Sequence, residues 1–247
     1  SKILGKRKKR SKSFFGVFLF TTKSNKDSEI FDSIFYVSRK IKSLIIPSNI
    51  KQILPYSFQY SILTKIHIPS HIIKICKFAF SKCFKLKEIT FSDDSELKTI
   101  EEKAFDGTDI KELIIPSKVC ELKYGWCSSL HGEVKIDQKN SYFKNSEDNL
   151  ILGKTNKDSD IFDIIVFAQR NEEASLTISP NIKIISPYAF ADSKLQEISF
   201  PSNVTFIDDY AFFNCRNLHK IDFPENSKLH IIGKYAFSGT NIDYVKI

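Results

Sequence analysis

The sequence predicts a β-rich repeat solenoid, with a parallel sheet on one face and short helical or irregular turns on the other. A short alternating segment such as Ile66-His67-Ile68-Pro69 recurs along the chain, followed after about eleven residues by the dipeptide Ala/Ser-Phe. Such a unit can bury its apolar side only against neighbouring units, which is the physical basis of a solenoid. The phenylalanines, spaced by 22 and 25 residues twice over, are Phe58, Phe80, Phe105, Phe190, Phe212 and Phe237.

Each alternating segment predicts one strand of the parallel sheet. Apolar residues at every second position followed by proline are typical of a short strand that leaves its sheet, because proline cannot donate to the hydrogen-bond ladder. An isoleucine also stands five positions before every repeat phenylalanine, so each unit supplies the same apolar set. The nine expected rungs are centred on Ile45, His67, Thr90, Ile114, Lys135, Thr177, Ser199, Asp222 and Lys246.

The chain is a duplicated block. Residues 23–32 and 154–163 are identical at eight of ten positions with an offset of 131, and the repeat phenylalanines continue with an offset of 132. The unit at residues 122–127 is shortened and carries Trp126 where a phenylalanine is expected. The predicted domains are a disordered basic tail at 1–13, a first repeat block with an N-terminal hairpin at 14–130, and a second repeat block at 131–247 with a hairpin insertion at about 142–173.

Two copies of the unit, Leu63–Leu86 and Leu195–Leu218, carry the fullest motif. In both, Leu-x-x-Ile-x-Ile/Phe-Pro is followed by Val/Ile-x-x-Ile and then by Ala-Phe-x-x-Cys-x-x-Leu. This combined pattern resembles the BspA-like family of leucine-rich repeats over about residues 41–130 and 175–247. The resemblance implies a scaffold for protein interactions, and the bacterial surface members of that family look like adhesins for host matrix proteins.

The net charge of +8 is concentrated at the N-terminus. Residues 1–12 hold seven of the 37 basic residues and no acidic residue, so the rest of the chain is almost neutral. Such a cluster can bind nucleic acid or an anionic membrane, act as a nuclear-import signal, or be a solvated end. Its central residues are Lys6, Arg7, Lys8, Lys9 and Arg10.

The five cysteines include no Cys-x-x-Cys pair, which predicts neither a disulfide framework nor a zinc site. No apolar run reaches the roughly 18 residues of a membrane helix. The apolar run Phe14–Phe20 is short and has no small-residue cleavage site after it, which disfavours a secretory signal. We therefore expect an intracellular location, in the cytoplasm or at the cell periphery, with the nucleus and the cell surface as alternatives.

No motif predicts catalysis, a cofactor or a metal centre. The five histidines lie outside any metalloprotease motif, and residues 153–155 lack the earlier glycine of a phosphate-binding loop. The carboxylates of Asp158, Asp160 and Asp163 could bind calcium, but they lack EF-hand spacing, and an ordinary turn is the preferred interpretation. We expect neither an enzyme nor a small-molecule substrate.

The outward side chains of the predicted sheet are the candidate binding residues. Because side chains alternate along a strand, the residue before each first apolar position points away from the core. Glu88, Glu112 and Glu133 hold this position on successive rungs, which predicts either a solvated face with local charge compensation or an acidic patch that receives a basic partner. The candidate residues are Lys65, His67, Glu88, Thr90, Glu112, Ile114, Glu133, Lys135, Glu197, Lys220 and Tyr244.

Taken together, these features favour a non-enzymatic scaffold that binds a protein partner on its sheet face. Nucleic-acid or anionic-lipid binding through residues 2–12 is one alternative. Adhesion to host matrix proteins, which the family resemblance implies, is the other.

Overall fold

The computed structural model describes three N-terminal strands at residues 10–14, 17–22 and 33–37, together with residues 44–128, 130–170 and 174–246. The chain divides into two compact units, with the boundary between Leu130 and His131. The described residues form strands and irregular turns and contain no helix, so nothing in them could span a membrane as a helix. Each unit is a β-solenoid with parallel sheets, which confirms the predicted fold class.

The first unit contains two sheets. Strands of four residues pair in parallel in what we call the ladder sheet, and strands of mostly two residues form the short-strand sheet, which begins with an antiparallel hairpin. The ladder sheet comprises β5 (Lys65–Ile68), β7 (Glu88–Phe91) and β9 (Glu112–Ile115). The short-strand sheet comprises, in order, β1 (Arg10–Phe14), β2 (Val17–Thr22), β3 (Ser33–Val37), β4 (Gln52–Ile53), β6 (Lys74–Ile75), β8 (Thr99–Ile100) and β10 (Glu121–Leu122).

The second unit repeats this plan and begins with β11 (Glu133–Ile136). Its ladder sheet comprises β15 (Ser175–Thr177), β17 (Glu197–Ser199), β19 (Lys220–Asp222) and β21 (Tyr244–Lys246). Its short-strand sheet comprises, in order, β12 (Lys144–Asn145), β13 (Leu150–Gly153), β14 (Ile164–Ala168), β16 (Ile184–Ile185), β18 (Phe206–Ile207) and β20 (Ile231–Ile232). Strands β12 to β14 pair antiparallel, within the segment predicted to be a hairpin insertion, and β14 then pairs in parallel with β16.

One solenoid turn follows directly from the sequence motif. In β5, Ile66 and Ile68 point inward and are buried, and Pro69 comes directly after the strand. The chain then enters β6, whose inward residue Ile75 is completely buried. The isoleucine five positions before each phenylalanine thus belongs to a second parallel sheet, where the sequence pattern predicted only turns.

The repeat phenylalanines stack as continuous columns within each unit. Ring centroids are 4.7 Å apart for Phe58–Phe80 and 5.6 Å apart for Phe80–Phe105 in the first unit. The amides of Phe58, Phe80, Phe190 and Phe212 also donate to the carbonyl of the alanine before the next ring, as from Phe80 to Ala104 at 2.8 Å. In the second unit the distances are 4.7 Å for Phe190–Phe212 and 5.0 Å for Phe212–Phe237.

Five of the six rings are at most 2% exposed, as predicted, but Phe237 in the last described turn is only partly buried. The prediction that Trp126 replaces a phenylalanine is wrong. The Phe105 amide donates to the carbonyl of Trp126 at 3.1 Å, so Trp126 takes the alanine position. The buried Cys127 therefore takes the position of the ring.

Two predicted boundaries also differ from the structure. Residues 44–47 form no strand, and Ile45 is 91% exposed, so the expected first rung is absent at this position. Strand β1 begins at Arg10, so the last residues of the tail predicted to be disordered lie in a strand. Residues 1–9 lie outside the described residues.

Candidate functional site

Six of the predicted site residues share the exposed surface of the first ladder sheet, which we call the first ladder face. Strands β5 and β9 alternate exposed and buried residues, as a sheet with one solvated side requires. Lys65 is in register with Glu88, His67 with Thr90, and Glu88 with Glu112. The face consists of Lys65, His67, Glu88, Thr90, Glu112 and Ile114.

Acidic and apolar groups dominate one side of this face. Glu88 and Glu112 are exposed side chains at in-register positions of neighbouring parallel strands, where like charges repel. No ion pair forms between Lys65 and Glu88 within the described residues. Ile114 is 50% exposed beside them. This part of the face therefore combines negative charge with apolar surface.

His67 is held flat across the strands by two hydroxyl groups. Its Nδ1 lies 3.0 Å from Thr90 Oγ1, and its Nε2 lies 3.1 Å from Ser92 Oγ. Both ring nitrogens are thus occupied, which fixes the imidazole plane and makes His67 a rigid part of the surface. The histidine is an exposed ladder residue, as the sequence predicts.

The ladder face of the second unit has its charges paired. Lys220 Nζ lies 2.9 Å from Glu197 Oε2 and 3.6 Å from Asp222 Oδ2. The hydrogen bond from Lys220 lowers the pKa of Glu197, and the same hydrogen bond, followed by the charge of Asp222, raises the pKa of Lys220. Tyr244 continues this column in register with Lys220 and is 49% exposed. An ion pair therefore joins the in-register residues Glu197 and Lys220, whereas none joins the in-register residues Lys65 and Glu88 within the described part of the chain.

The remaining site residues belong to the second unit and to the N-terminal segment. Glu133 and Lys135 are exposed on β11 and form an ion pair with a separation of 3.1 Å. A shallow open depression of about 440 Å³ flanks the second ladder face, but its Lys220 is already engaged by two carboxylates. The side chains of the basic cluster, Lys6, Arg7, Lys8, Lys9 and Arg10, lie outside what the structure describes.

Asp163 forms a structural contact that the sequence pattern did not predict. It is 2% exposed, and its carboxylate accepts hydrogen bonds from the Thr155 amide at 2.8 Å, the Thr155 hydroxyl at 2.6 Å and Lys183 Nζ at 3.1 Å. Asp158 and Asp160 are exposed. Within the described residues no group of three His, Cys, Asp or Glu side chains could hold a metal ion. Asp163 thus ties the hairpin to the next turn.

Two cysteines occupy the same buried position in the two units. Cys83 Sγ donates to the Phe58 carbonyl at 2.9 Å, and Cys215 Sγ donates to the Phe190 carbonyl at 3.0 Å. Burial raises the pKa of Cys83 to about 12, raises that of Cys76 to about 11, and also raises that of Cys215. These thiols pack as small apolar groups, as the repeat position predicts.

We expect a single fast-reacting cysteine in the native protein. Cys120 is the one partly exposed thiol among the five, whereas the other four are buried. Titration with a thiol-specific chromogenic reagent at neutral pH should therefore label one thiol quickly, because buried thiols are inert. After unfolding, all five thiols should react. A Cys120→Ser variant that still reacts quickly would contradict this assignment.

The profile of the BspA type leucine-rich repeat region matches residues 14–131 and 137–247, in six copies. The chain therefore belongs to the BspA-type leucine-rich repeat family, as its motif indicates. The family is one of repeat scaffolds. No curated protein is recognisably similar to it in sequence.

Solved structures show the same fold. The pneumococcal vaccine antigen PcpA is 22% identical, with a TM-score of 0.68 over 83% of this chain and 56% of that chain. A leucine-rich repeat protein from Eubacterium ventriosum is 18% identical, with a TM-score of 0.62 over 80% of this chain and 60% of that chain. The chain thus spans less than two thirds of either protein, and at these identities the likeness concerns the fold alone.

Proposed function

We propose that this protein is a non-enzymatic scaffold that binds a basic protein partner on the first ladder face. The observation that carries the proposal is the pair Glu88 and Glu112, exposed and in register on adjacent strands. In the second unit the in-register neighbours Glu197 and Lys220 carry opposite charges and form an ion pair. Two in-register carboxylates of like charge instead attract a cationic side chain from a partner.

A basic partner would relieve the repulsion between the carboxylates of Glu88 and Glu112. A lysine or arginine placed between Glu88 and Glu112 would interact with both carboxylates, and the exposed Ile114 would cover the alkyl part of that side chain. The fixed His67 ring adds a rigid polar neighbour at the edge of the contact. Binding of this kind needs no conformational change in the sheet.

Charge reversal on this face should weaken partner capture without unfolding the protein. We expect the Glu88→Lys and Glu112→Lys variants, used as baits, to lose a basic partner that the wild-type protein retains, because the new lysine repels it. The fold should survive, because both side chains point into solvent. The matched control is Glu147→Lys, which makes the same charge change at an exposed residue of the hairpin in the second unit. Quantitative mass spectrometry of the captured proteins compares the baits.

Unchanged thermal melts of all three variants establish that the fold is intact. A partner retained equally by wild-type protein, Glu147→Lys and both ladder variants would contradict the proposal. A partner lost by the ladder variants alone supports it and provides the purified ligand for binding measurements.

Binding of nucleic acid or anionic lipid through the N-terminal cluster is a second candidate, motivated by seven basic residues among the first twelve. Replacing Lys6, Arg7, Lys8 and Lys9 with glutamine should then abolish association with a DNA duplex or with vesicles rich in anionic lipid. The wild-type affinity should fall steeply with salt, because counterion release drives such binding. Equal binding by both proteins would exclude this candidate.

A further inference from the structure

The short-strand sheet of the second unit carries an apolar row on its outer surface. The row consists of outward residues that are in register on successive strands: Ile164, Ile184, Phe206 and Ile231. The residue after each of the first three is completely buried, which places the row itself on the opposite side of the sheet. Its members are partly exposed, and Ile231 is 47% exposed.

The first unit shows that the fold does not require apolar residues here. With the internal offset of 132, Ile184 corresponds to Gln52, Phe206 to Lys74, and Ile231 to Thr99. These residues occupy the same outward register positions on β4, β6 and β8. Lys74 even forms an ion pair with Glu101 at 2.7 Å. The apolar row of the second unit is therefore a surface property and has no role in the core.

An exposed lysine and a carboxylate with no ion pair among the described residues lie on opposite sides of the row. Lys183 precedes Ile184, and its side chain is 53% exposed although it contacts Asp163. Asp208 lies two residues after Phe206, on the other side of the row. Burial raises the pKa of Asp208, with a further contribution from the charge of Asp209, and no ion pair with a lysine or arginine compensates it within the described residues. An approaching cation would therefore be favourable at Asp208.

We infer that the apolar row is the interface of a weak homodimer, in which two copies of the second unit pack sheet against sheet. A two-fold axis parallel to the direction of strand stacking makes the strands of the two copies run in opposite directions. The Lys183 side of one copy then faces the Asp208 side of the other, and the apolar rows meet between them. Such an interface is isologous, and the rung spacing of about 4.8 Å is identical on both sides.

The small area of the apolar row limits the expected affinity of the dimer. Four rungs span about 14 Å, so the contact is much smaller than the roughly 800 Å² per partner that stable complexes bury. We therefore expect a dissociation constant on the order of 100 µM. The dimer is independent of the first ladder face, because its residues lie in the other unit.

Sedimentation velocity of the full chain, from about 1 µM to about 1 mM, tests this inference. The wild-type protein should shift from monomer to dimer across this range. The Ile184→Lys and Phe206→Lys variants should weaken association by roughly tenfold or more, because each buries an unpaired charge in the interface. Gln52→Lys, the same change at the equivalent position of the first unit, should dimerise like the wild-type protein.

A further variant tests the pairing of opposite charges across the interface. Asp208→Lys leaves the apolar row intact but should weaken the dimer, because it places a cation opposite Lys183. Ile231→Thr, which introduces the residue of the first unit at a half-exposed position, serves if a lysine variant fails to fold, and it should also weaken the dimer. A wild-type protein that stays monomeric at about 1 mM, or a dimer that is unaffected by the variants in the row, overturns the inference.

Discussion

Replacing Phe80 or Phe212 with alanine is expected to lower the free energy of unfolding by about 3–5 kcal/mol, the range for large-to-small core substitutions. Each ring is completely buried and stacks on a ring above and a ring below. Phe212 also contacts the edge of Phe200 at a centroid distance of 6.0 Å. The cavity cannot collapse without moving two neighbouring turns, because the backbone hydrogen bonds between turns fix their separation.

Phe84→Ala is the matched control for this loss, because Phe84 is 65% exposed and lies in the same turn as Phe80. Its removal should change stability by well under 1 kcal/mol, as is usual for exposed positions. Urea unfolding followed by circular dichroism measures all three variants. Equal midpoints for Phe80→Ala and Phe84→Ala would show that the ring column does not stabilise the solenoid.

Replacing Asp163 with asparagine should cost about 2–3 kcal/mol at neutral pH, because a buried carboxylate loses charge-assisted hydrogen bonds. The amide oxygen can still accept one bond from Thr155, but the attraction to Lys183 disappears. Asp160→Asn is the control, since Asp160 is exposed in the same hairpin. Urea unfolding at neutral pH should separate the two variants clearly.

The pH dependence identifies the charge of Asp163 as the cause. Burial by itself would raise the pKa of Asp163, but the hydrogen bonds from Thr155 and Lys183 outweigh burial and lower it. The unfolded chain titrates near pH 4, so the stabilisation is complete above that pH and is lost as the pH falls through the lower folded-state pKa. The difference between wild-type protein and Asp163→Asn should therefore shrink below about pH 4. A difference that stays constant across this range would contradict the assignment.

The repeat spacing predicted the core residues, because the same positions of successive repeats are buried. Every repeat phenylalanine except Phe237 is almost completely buried, and every predicted alternating segment except that at residues 44–47 became a strand. The prediction failed at Trp126 because it followed the aromatic residue type, whereas Cys127 has the repeat spacing of five residues after Leu122, which is in register with Ile100. The hydrogen bond from the Phe105 amide to the Trp126 carbonyl agrees with this spacing.

The turns were the least predictable part of the fold. The residues two positions before and two positions after each repeat phenylalanine adopt positive φ. Around Phe80, for example, φ is 57° at Phe78 and 58° at Lys82. Left-handed conformation normally favours glycine and costs other residues about 1–2 kcal/mol. Gly107 and Gly239 are therefore local signals for it, whereas the aromatic residues two positions before the rings are not. Hydrogen bonds between turns stabilise that geometry, and such contacts depend on residues more than twenty positions away.

Alternation along the strands was sufficient to place the candidate site residues on exposed surfaces. It could not show which carboxylates are neutralised, because the pairing of Glu197 with Lys220 depends on side-chain conformation across two strands. It also missed the outward row at Ile184 and Phe206, although that row lies directly before the repeated isoleucine. A signal existed in the comparison of the two blocks, where polar residues of one correspond to apolar residues of the other.

The association rate of the captured partner with the first ladder face tests the proposed function most directly. Measured by surface plasmon resonance at low and high salt, association with the wild-type protein should slow markedly as salt rises, because exposed charges act mainly on the encounter rate. Glu112→Lys should associate more slowly and with less salt dependence, and Glu147→Lys should match the wild-type protein. Equal rates and equal salt dependence for the wild-type protein, Glu88→Lys and Glu112→Lys would contradict binding at this face.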